Sequence, residues 1–96
     1  SDSHPAYIFL HEIGHVLQIE LTHDSKLVPE SFIKMSNEFL GSDLKQDDSS
    51  PEIFADAFAI AMMRIFGWQE YDTFNKLSPK VKNSFATYMN WLIEQM

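Results

Sequence analysis

The sequence predicts an all-α fold, and three observations support that prediction. Apolar side chains recur at the three- and four-residue spacing of a helix in four segments of the 96-residue chain. Proline or glycine stands near the expected beginnings or ends of those segments. No run of useful length alternates apolar and polar residues, as a half-buried strand would. We therefore expect a single domain of four main helices, a size that suits a chain of this length.

The first predicted helix covers about Pro5 to Leu21. Ser3 or His4 can cap it, and Pro5 suits its first turn because the missing N–H would have no helical partner there. Apolar residues are dense on most sides of this segment, which is typical of a buried helix. A polar loop, residues 22–26, should follow it.

The second predicted helix runs from Pro29 to Leu40, with Gly41 just past its end. Its apolar residues have helical spacing. The ten residues 41–50 are polar and rich in Ser and Asp, and we expect them to form a loop. Loops of this length in small domains are often functional or mobile.

The third helix should begin at Ser49 or Ser50, with Pro51 in its first turn, and should reach about Phe66, where Gly67 can end it. Its apolar face is broad, so most of this helix should be buried.

A short helical or turn segment is expected at residues 68–76. The last predicted helix opens at Ser78 and Pro79 and runs to about Gln95. It carries an apolar stripe on one side, which is typical of a helix that packs on a core and keeps its other face in water.

Composition and charge exclude several classes of partner and site. Seven Lys and Arg against fourteen Asp and Glu give a net charge of −7. Such a surface repels phosphate backbones and anionic lipid, so we expect no nucleic-acid partner and no membrane association. The absence of cysteine excludes disulfides, thiolate metal sites and a thiol nucleophile. The chain begins with Ser and enters a helical pattern almost at once, so we expect it to be a fragment of a longer protein.

The chemistry of the chain concentrates in an H-E-x-x-H motif at residues 11–15. On a helix, His11 and His15 lie on one face about 6 Å apart, so that both imidazoles can bind one metal ion. Glu12 points about 100° away around the helix, beside the ion, where it can act as general base toward a metal-activated water. Because this helix is so apolar, a bound ion would also explain how its polar residues are satisfied. The motif therefore predicts a zinc site.

A catalytic zinc site needs a third protein ligand. Leu21 stands where some zincins have a third His, and the remaining common solution is a Glu from another helix, for which Glu52 is the best candidate. Asp56, one helical turn further on, can accept the outer N–H of a ligand imidazole, which we assign to His11. Two alternatives remain open: Glu52 could be part of a capping box with Ser49, and Asp56 could lie on a solvated face.

The H-E-x-x-H motif followed by the sequence E-I-F-A-D-A-F at residues 52–58 resembles the gluzincins, zinc metallopeptidases with a Glu third ligand. It is similar in particular to the group that contains the catalytic domain of anthrax lethal factor and the Pro-Pro endopeptidases. This resemblance implies the helical catalytic portion of a zincin-like domain that hydrolyses protein or peptide substrates. It implies His11, His15 and Glu52 as zinc ligands, Glu12 as the base, and Asp56 in a supporting position where the family has an acid.

The chain departs from that family in two respects. The family has a Tyr shortly before the Glu ligand that stabilises the oxyanion, whereas residues 44–47 contain none. Tyr71, Tyr7 or His23 could replace it, although ordinary half-buried packing also accounts for the two tyrosines. The β-sheet that usually precedes the first His helix is absent from this chain, because only ten residues precede His11.

Two other functions fit the same residues. The intracellular regulatory metallopeptidases that cleave phage-type repressors (the ImmA/IrrE type) also combine H-E-x-x-H with a later Glu helix. Alternatively, the zinc could stabilise a non-catalytic helical module, with its fourth position closed by a side chain.

Overall fold

The computed structural model describes residues 5–40, 44–67 and 78–96, and the all-α prediction is confirmed for them. They form four helices and no strand: α1 (Pro5–Thr22), α2 (Glu30–Leu40), α3 (Ser50–Phe66) and α4 (Pro79–Gln95). Each helix begins and ends within one residue of the predicted positions. The short segment expected at residues 68–76 lies outside the described residues.

The residues that begin and end the helices act largely as the sequence indicated. The Ser78 hydroxyl accepts a hydrogen bond from the Val81 backbone N–H at 3.2 Å, which caps α4. Gly67 ends α3 in the left-handed conformation, with φ of 69°, and its N–H donates to the Arg64 carbonyl. Ser49 precedes α3 but makes no side-chain cap.

Helix α3 is the centre of the fold. It packs against α1 on one side and against α4 on another, while α2 packs against α4. Its alanines at positions 55, 57, 59 and 61 are all buried, and these small side chains allow neighbouring helices to come close. Among the described residues, the largest fully buried apolar side chains are Phe32, Phe54, Ile60, Met63, Tyr88 and Met89.

Aromatic contacts connect α2 to α3 and α4. The ring of Phe32 meets that of Phe54 edge to face at 5.2 Å and lies 5.3 Å from that of Tyr88. The hydroxyl of Tyr88, a buried residue in the middle of α4, forms a 2.8 Å hydrogen bond with the Ser31 hydroxyl. Burial raises the pKa of Tyr88 above its ordinary value.

The expectation that α1 is buried on most sides is wrong. Within the described structure, only Leu10, Gly14 and Gln18 of this helix are fully buried, whereas Phe9 is 64% and Val16 60% exposed. The other exposed apolar residues of α1 are Ile8, Ile19 and Leu21. The reason is that α1 packs mainly against α3, so one face is covered and the other is not.

Gly14 allows α1 and α3 to come into close contact. A Cβ at this position would lie 2.9 Å from the Cα and 3.1 Å from the carbonyl oxygen of Ala55. Real Cβ atoms essentially never come closer than 3.0 Å to another heavy atom, so any other residue here requires the two helices to shift. This contact, one residue before His15, brings the histidines of α1 within reach of side chains on α3.

None of the described helices has the length and apolar character needed to cross a bilayer.

Candidate metal centre

The two histidines of the motif converge as their helical spacing predicted. His11 and His15 lie one turn apart on α1, with ring centroids 4.7 Å apart and ring planes at 83°. Their Nε2 atoms are 3.1 Å from each other. Both side chains are mostly covered, with exposed fractions of 15% and 23%.

Glu52, in the first turn of α3, completes the group. Its Oε2 lies 2.9 Å from His11 Nε2, and its Oε1 lies 2.9 Å from His15 Nε2. Its side chain is 63% exposed, so the group opens to solvent on the carboxylate side. Ligand atoms of His11, His15 and Glu52, one from each residue, all lie within 4.8 Å of one another. This spacing is close enough for the three residues to hold one metal ion.

The alternative capping-box interpretation of Glu52 does not describe the structure. Ser49 adopts a right-handed helical conformation and its side chain makes no cap hydrogen bond. Its hydroxyl instead donates to Asp47 Oδ1 at 2.6 Å, as does its backbone N–H at 2.9 Å. Those hydrogen bonds from Ser49 hold the pKa of the Asp47 carboxyl below its ordinary value.

Asp56 lies behind His11, where the sequence placed it. Its Oδ1 is 2.9 Å from His11 Nδ1, the ring nitrogen that faces away from Glu52. The Tyr7 hydroxyl donates to the same oxygen at 2.5 Å. Burial, followed by the hydrogen bond to Asp56, raises the pKa of Tyr7 well above its ordinary value, so Tyr7 keeps its proton and remains a donor.

The hydrogen bond between Tyr7 and Asp56 decides whether Tyr7 could replace the oxyanion tyrosine of the resembled family. The Tyr7 hydroxyl is bound on the Nδ1 side of His11, away from the nitrogen that faces Glu52. Tyr71, like His4, lies outside the described residues. His23 is exposed in a left-handed conformation, with φ of 58°, directly after α1.

Gln18 is the residue of this site that the sequence analysis missed. It is fully buried, and its Oε1 lies 3.1 Å from His15 Nδ1. Its amide nitrogen donates to the carbonyls of Ser25 at 2.8 Å and Leu27 at 2.7 Å. The available signal was a polar residue on an apolar helix, three positions after a candidate ligand and therefore on the same face.

The chemistry of these donors fits a divalent metal ion. The acceptor oxygens of Asp56 and Gln18 favour a proton on Nδ1 of His11 and of His15, so in the neutral rings the lone pair of each Nε2 points toward Glu52. Two lone pairs and a carboxylate facing one another repel unless a proton or a metal cation lies between them, and a metal ion can be shared by all three groups. Tetrahedral zinc with nitrogens at 2.0–2.1 Å would separate those nitrogens by about 3.3 Å, close to the observed spacing.

Glu12 is exposed on the neighbouring face of α1. Its carboxylate makes no hydrogen bond or ion pair with the described part of the chain. The structure thus brings together four of the predicted site residues, His11, His15, Glu52 and Asp56, and leaves Glu12 beside them with its carboxylate unengaged.

Comparison with known proteins gives no relative on which a function could be based. No family profile, no curated protein and no solved structure matches this chain. The functional assignment therefore depends on the geometry and chemistry of the site.

Proposed function

We propose that this chain is the helical portion of the catalytic domain of a zinc-dependent endopeptidase of the gluzincin type. The observation that carries the proposal is that two imidazoles, whose Nδ1 atoms contact acceptor oxygens of Asp56 and Gln18, direct both Nε2 atoms at the carboxylate of Glu52. Two His and one carboxylate are the ligand set of several zinc hydrolases.

In this proposal each residue of the site has a distinct task. His11, His15 and Glu52 would hold the zinc, which supplies Lewis acidity that makes water nucleophilic at neutral pH and polarises a carbonyl. Glu12 takes the proton from the attacking water and delivers it to the leaving amine. Its exposure and its lack of a partner in the described structure suit that task, because a carboxylate held in an ion pair would be a weaker base.

The substrate is a protein or peptide, and the open side of the site is where it would enter. The exposed Glu52 carboxylate borders that side and Glu12 is exposed at the next position along α1 after His11, while Asp56 and Gln18 occupy the opposite, Nδ1 sides of the two imidazoles. An extended peptide could therefore reach the site without displacing either supporting residue.

The test compares Glu12→Gln with Glu20→Gln. Both variants neutralise one exposed acid on α1, but only the first changes the proposed base. Zinc content is measured by mass spectrometry after purification, and cleavage is measured on a library of short peptides. We expect wild type and both variants to contain one zinc, and Glu12→Gln alone to lose about 10²–10⁴-fold of the cleavage rate.

Two results would contradict the proposal. Wild-type protein that stays free of metal when dialysed against zinc at neutral pH would remove the zinc site. Equal cleavage by the Glu12→Gln and Glu20→Gln proteins would remove the proposed base, even if zinc were bound.

A second candidate, a structural zinc module, is favoured by one observation. The Tyr7 hydroxyl is engaged by Asp56, so it does not replace the oxyanion tyrosine that the gluzincin pattern requires. In such a module the metal would only join α1 to α3. Zinc binding without cleavage by wild type, together with loss of helical structure on chelation, would favour this candidate over the peptidase.

A further inference from the structure

We propose that Gln18 is a positioning residue of the metal site. Its side chain selects the tautomer of His15 and holds the segment that follows α1 against the end of this helix. This inference rests on the proposed function for its metal, but its structural part concerns His15 in the metal-free protein as well. Gln18 makes no contact with the ligand atoms themselves and would act through the imidazole.

The hydrogen bonds of Gln18 fix the orientation of its amide. Its nitrogen lies 2.8 and 2.7 Å from the carbonyl oxygens of Ser25 and Leu27, both of which can only accept. The NH2 group therefore has to face those carbonyls, and the Oε1 atom has to face His15. A rotation of the amide by 180° would bring its oxygen against two carbonyl oxygens and is excluded.

The fixed amide in turn fixes the imidazole. Since Oε1 can only accept, the Nδ1 atom of His15, 3.1 Å away, has to carry a proton. In the neutral ring the lone pair is then on Nε2, which is the nitrogen that faces Glu52. Without Gln18 the neutral ring could carry its proton on Nε2 instead, and that tautomer cannot bind a metal through the atom that faces the site.

The same amide connects the metal site to the segment that leads toward α2. Next to Leu27, the buried Val28 exchanges two backbone hydrogen bonds with the side chain of Gln46, at 3.0 and 2.6 Å. Gln46 precedes the turn from which α3 begins, and α3 carries Glu52. Two glutamine amides thus bind the segment of residues 25–28, one from the end of α1 and one from the residues before α3, but only Gln18 contacts a ligand imidazole.

This pair of glutamines provides a matched test. Gln18→Met and Gln46→Met each replace an amide that binds backbone carbonyls with an apolar chain of similar length. Zinc affinity is measured by competition with a chelator, and 15N NMR of the histidine rings in the metal-free protein reports the tautomer. We expect Gln18→Met to weaken zinc binding about 10–100-fold and to lose the Nδ1–H tautomer of His15. Gln46→Met should leave both as in wild type.

Gln18→Glu separates positioning from simple packing and serves if Gln18→Met does not fold. A carboxylate still accepts from His15 Nδ1, as Asp56 does for His11, but it repels the carbonyls of Ser25 and Leu27. We expect its melting temperature to fall while zinc affinity and the Nδ1–H tautomer remain. That outcome would support the proposal, because loss of packing alone would lower stability and affinity together.

Three results would overturn the inference. The first is an equal loss of zinc affinity in Gln18→Met and Gln46→Met. The second is an Nε2–H tautomer of His15 in the wild-type protein. The third is a loss of zinc affinity in Gln18→Glu that is as large as the loss in Gln18→Met. If wild type bound no zinc, the proposed function would fail, whereas the tautomer measurement on metal-free protein would still decide the role of Gln18.

Discussion

Gly14→Ala tests whether the proposed metal site depends on the close approach of α1 and α3. The added Cβ would lie 2.9 Å from Ala55 Cα and 3.2 Å from Phe58 Cβ, whereas ordinary van der Waals contact begins at 3.4 Å. The nearest atoms belong to the backbone of α3, so a side-chain rotation cannot relieve the contact. The two helices therefore have to separate locally by about 0.5 Å. This displacement is well above the ±0.2 Å tolerance of metal–ligand distances.

The effect of Gly14→Ala on stability is a difference of opposing contributions. Alanine inside a helix is favoured over glycine by about 1 kcal/mol, and overpacking of a tight contact is unfavourable by about 1–3 kcal/mol. We therefore expect a net destabilisation of about 0–2 kcal/mol. Metal binding should suffer more, because Glu52 moves with α3 while His11 and His15 stay on α1. We expect a loss of zinc affinity of about 10–100-fold, the range typical when residues that support metal ligands are changed.

The matched control is Gly67→Ala at the end of α3. A Cβ there meets nothing within 4 Å, but the residue has a positive φ of 69°, which disfavours any side chain. We expect this variant to lose about 1 kcal/mol of stability, with unchanged zinc affinity. Urea unfolding of metal-free protein and chelator competition measure the two quantities separately. If Gly14→Ala bound zinc as tightly as Gly67→Ala, the helix contact would not set the ligand geometry.

Two further predictions concern α3 and the loop before it. Glu52→Ala should weaken zinc binding. It should change the unfolding free energy of the metal-free protein by less than about 1 kcal/mol, because the residue is exposed and is not part of a cap. A large loss of stability of the metal-free protein in urea would show that Glu52 does act as a cap. The lowered pKa of Asp47 gives a stabilising contribution that is present above its ordinary value of 3.8 and is lost as the pH falls through its lower folded value. Asp47→Asn should therefore flatten the acid side of the stability–pH curve measured by urea unfolding, and an unchanged curve would show that other carboxyls cause it.

The fold could be predicted from local signals because those signals agree with one another. Proline at helix beginnings, glycine at the end of α3 and apolar spacing between them all indicated the same four segments, and the helices lie there. The exposure of α1 could not be predicted in this way. Apolar residues such as Phe9 and Val16 surround the helix, so periodicity does not indicate which face meets α3, and that depends on the position of Gly14 opposite Ala55.

The residues of the site likewise fall into those that the sequence predicted and those that it could not. His11 and His15 were evident because helical spacing alone places them together, and Glu52 followed from the number of ligands that zinc requires. Gln18 and the contact of Tyr7 with Asp56 depend on how side chains from separate segments meet. A glutamine on a helix has many ordinary explanations, and only its burial and its two carbonyl partners give it a particular role.

The two supporting residues differ in charge, and the charge of the site gives a physical reason for the difference. The two carboxylates that contact the ligand imidazoles, those of Glu52 and Asp56, together balance the charge of a divalent cation. A third carboxylate at position 18 would be fully buried next to two carbonyl oxygens, where an uncompensated charge is strongly unfavourable. A neutral amide holds the Nδ1 proton of His15 without adding that charge, and it supplies two donors that a carboxylate lacks. The expected loss of stability with retained zinc affinity in Gln18→Glu follows from the same balance.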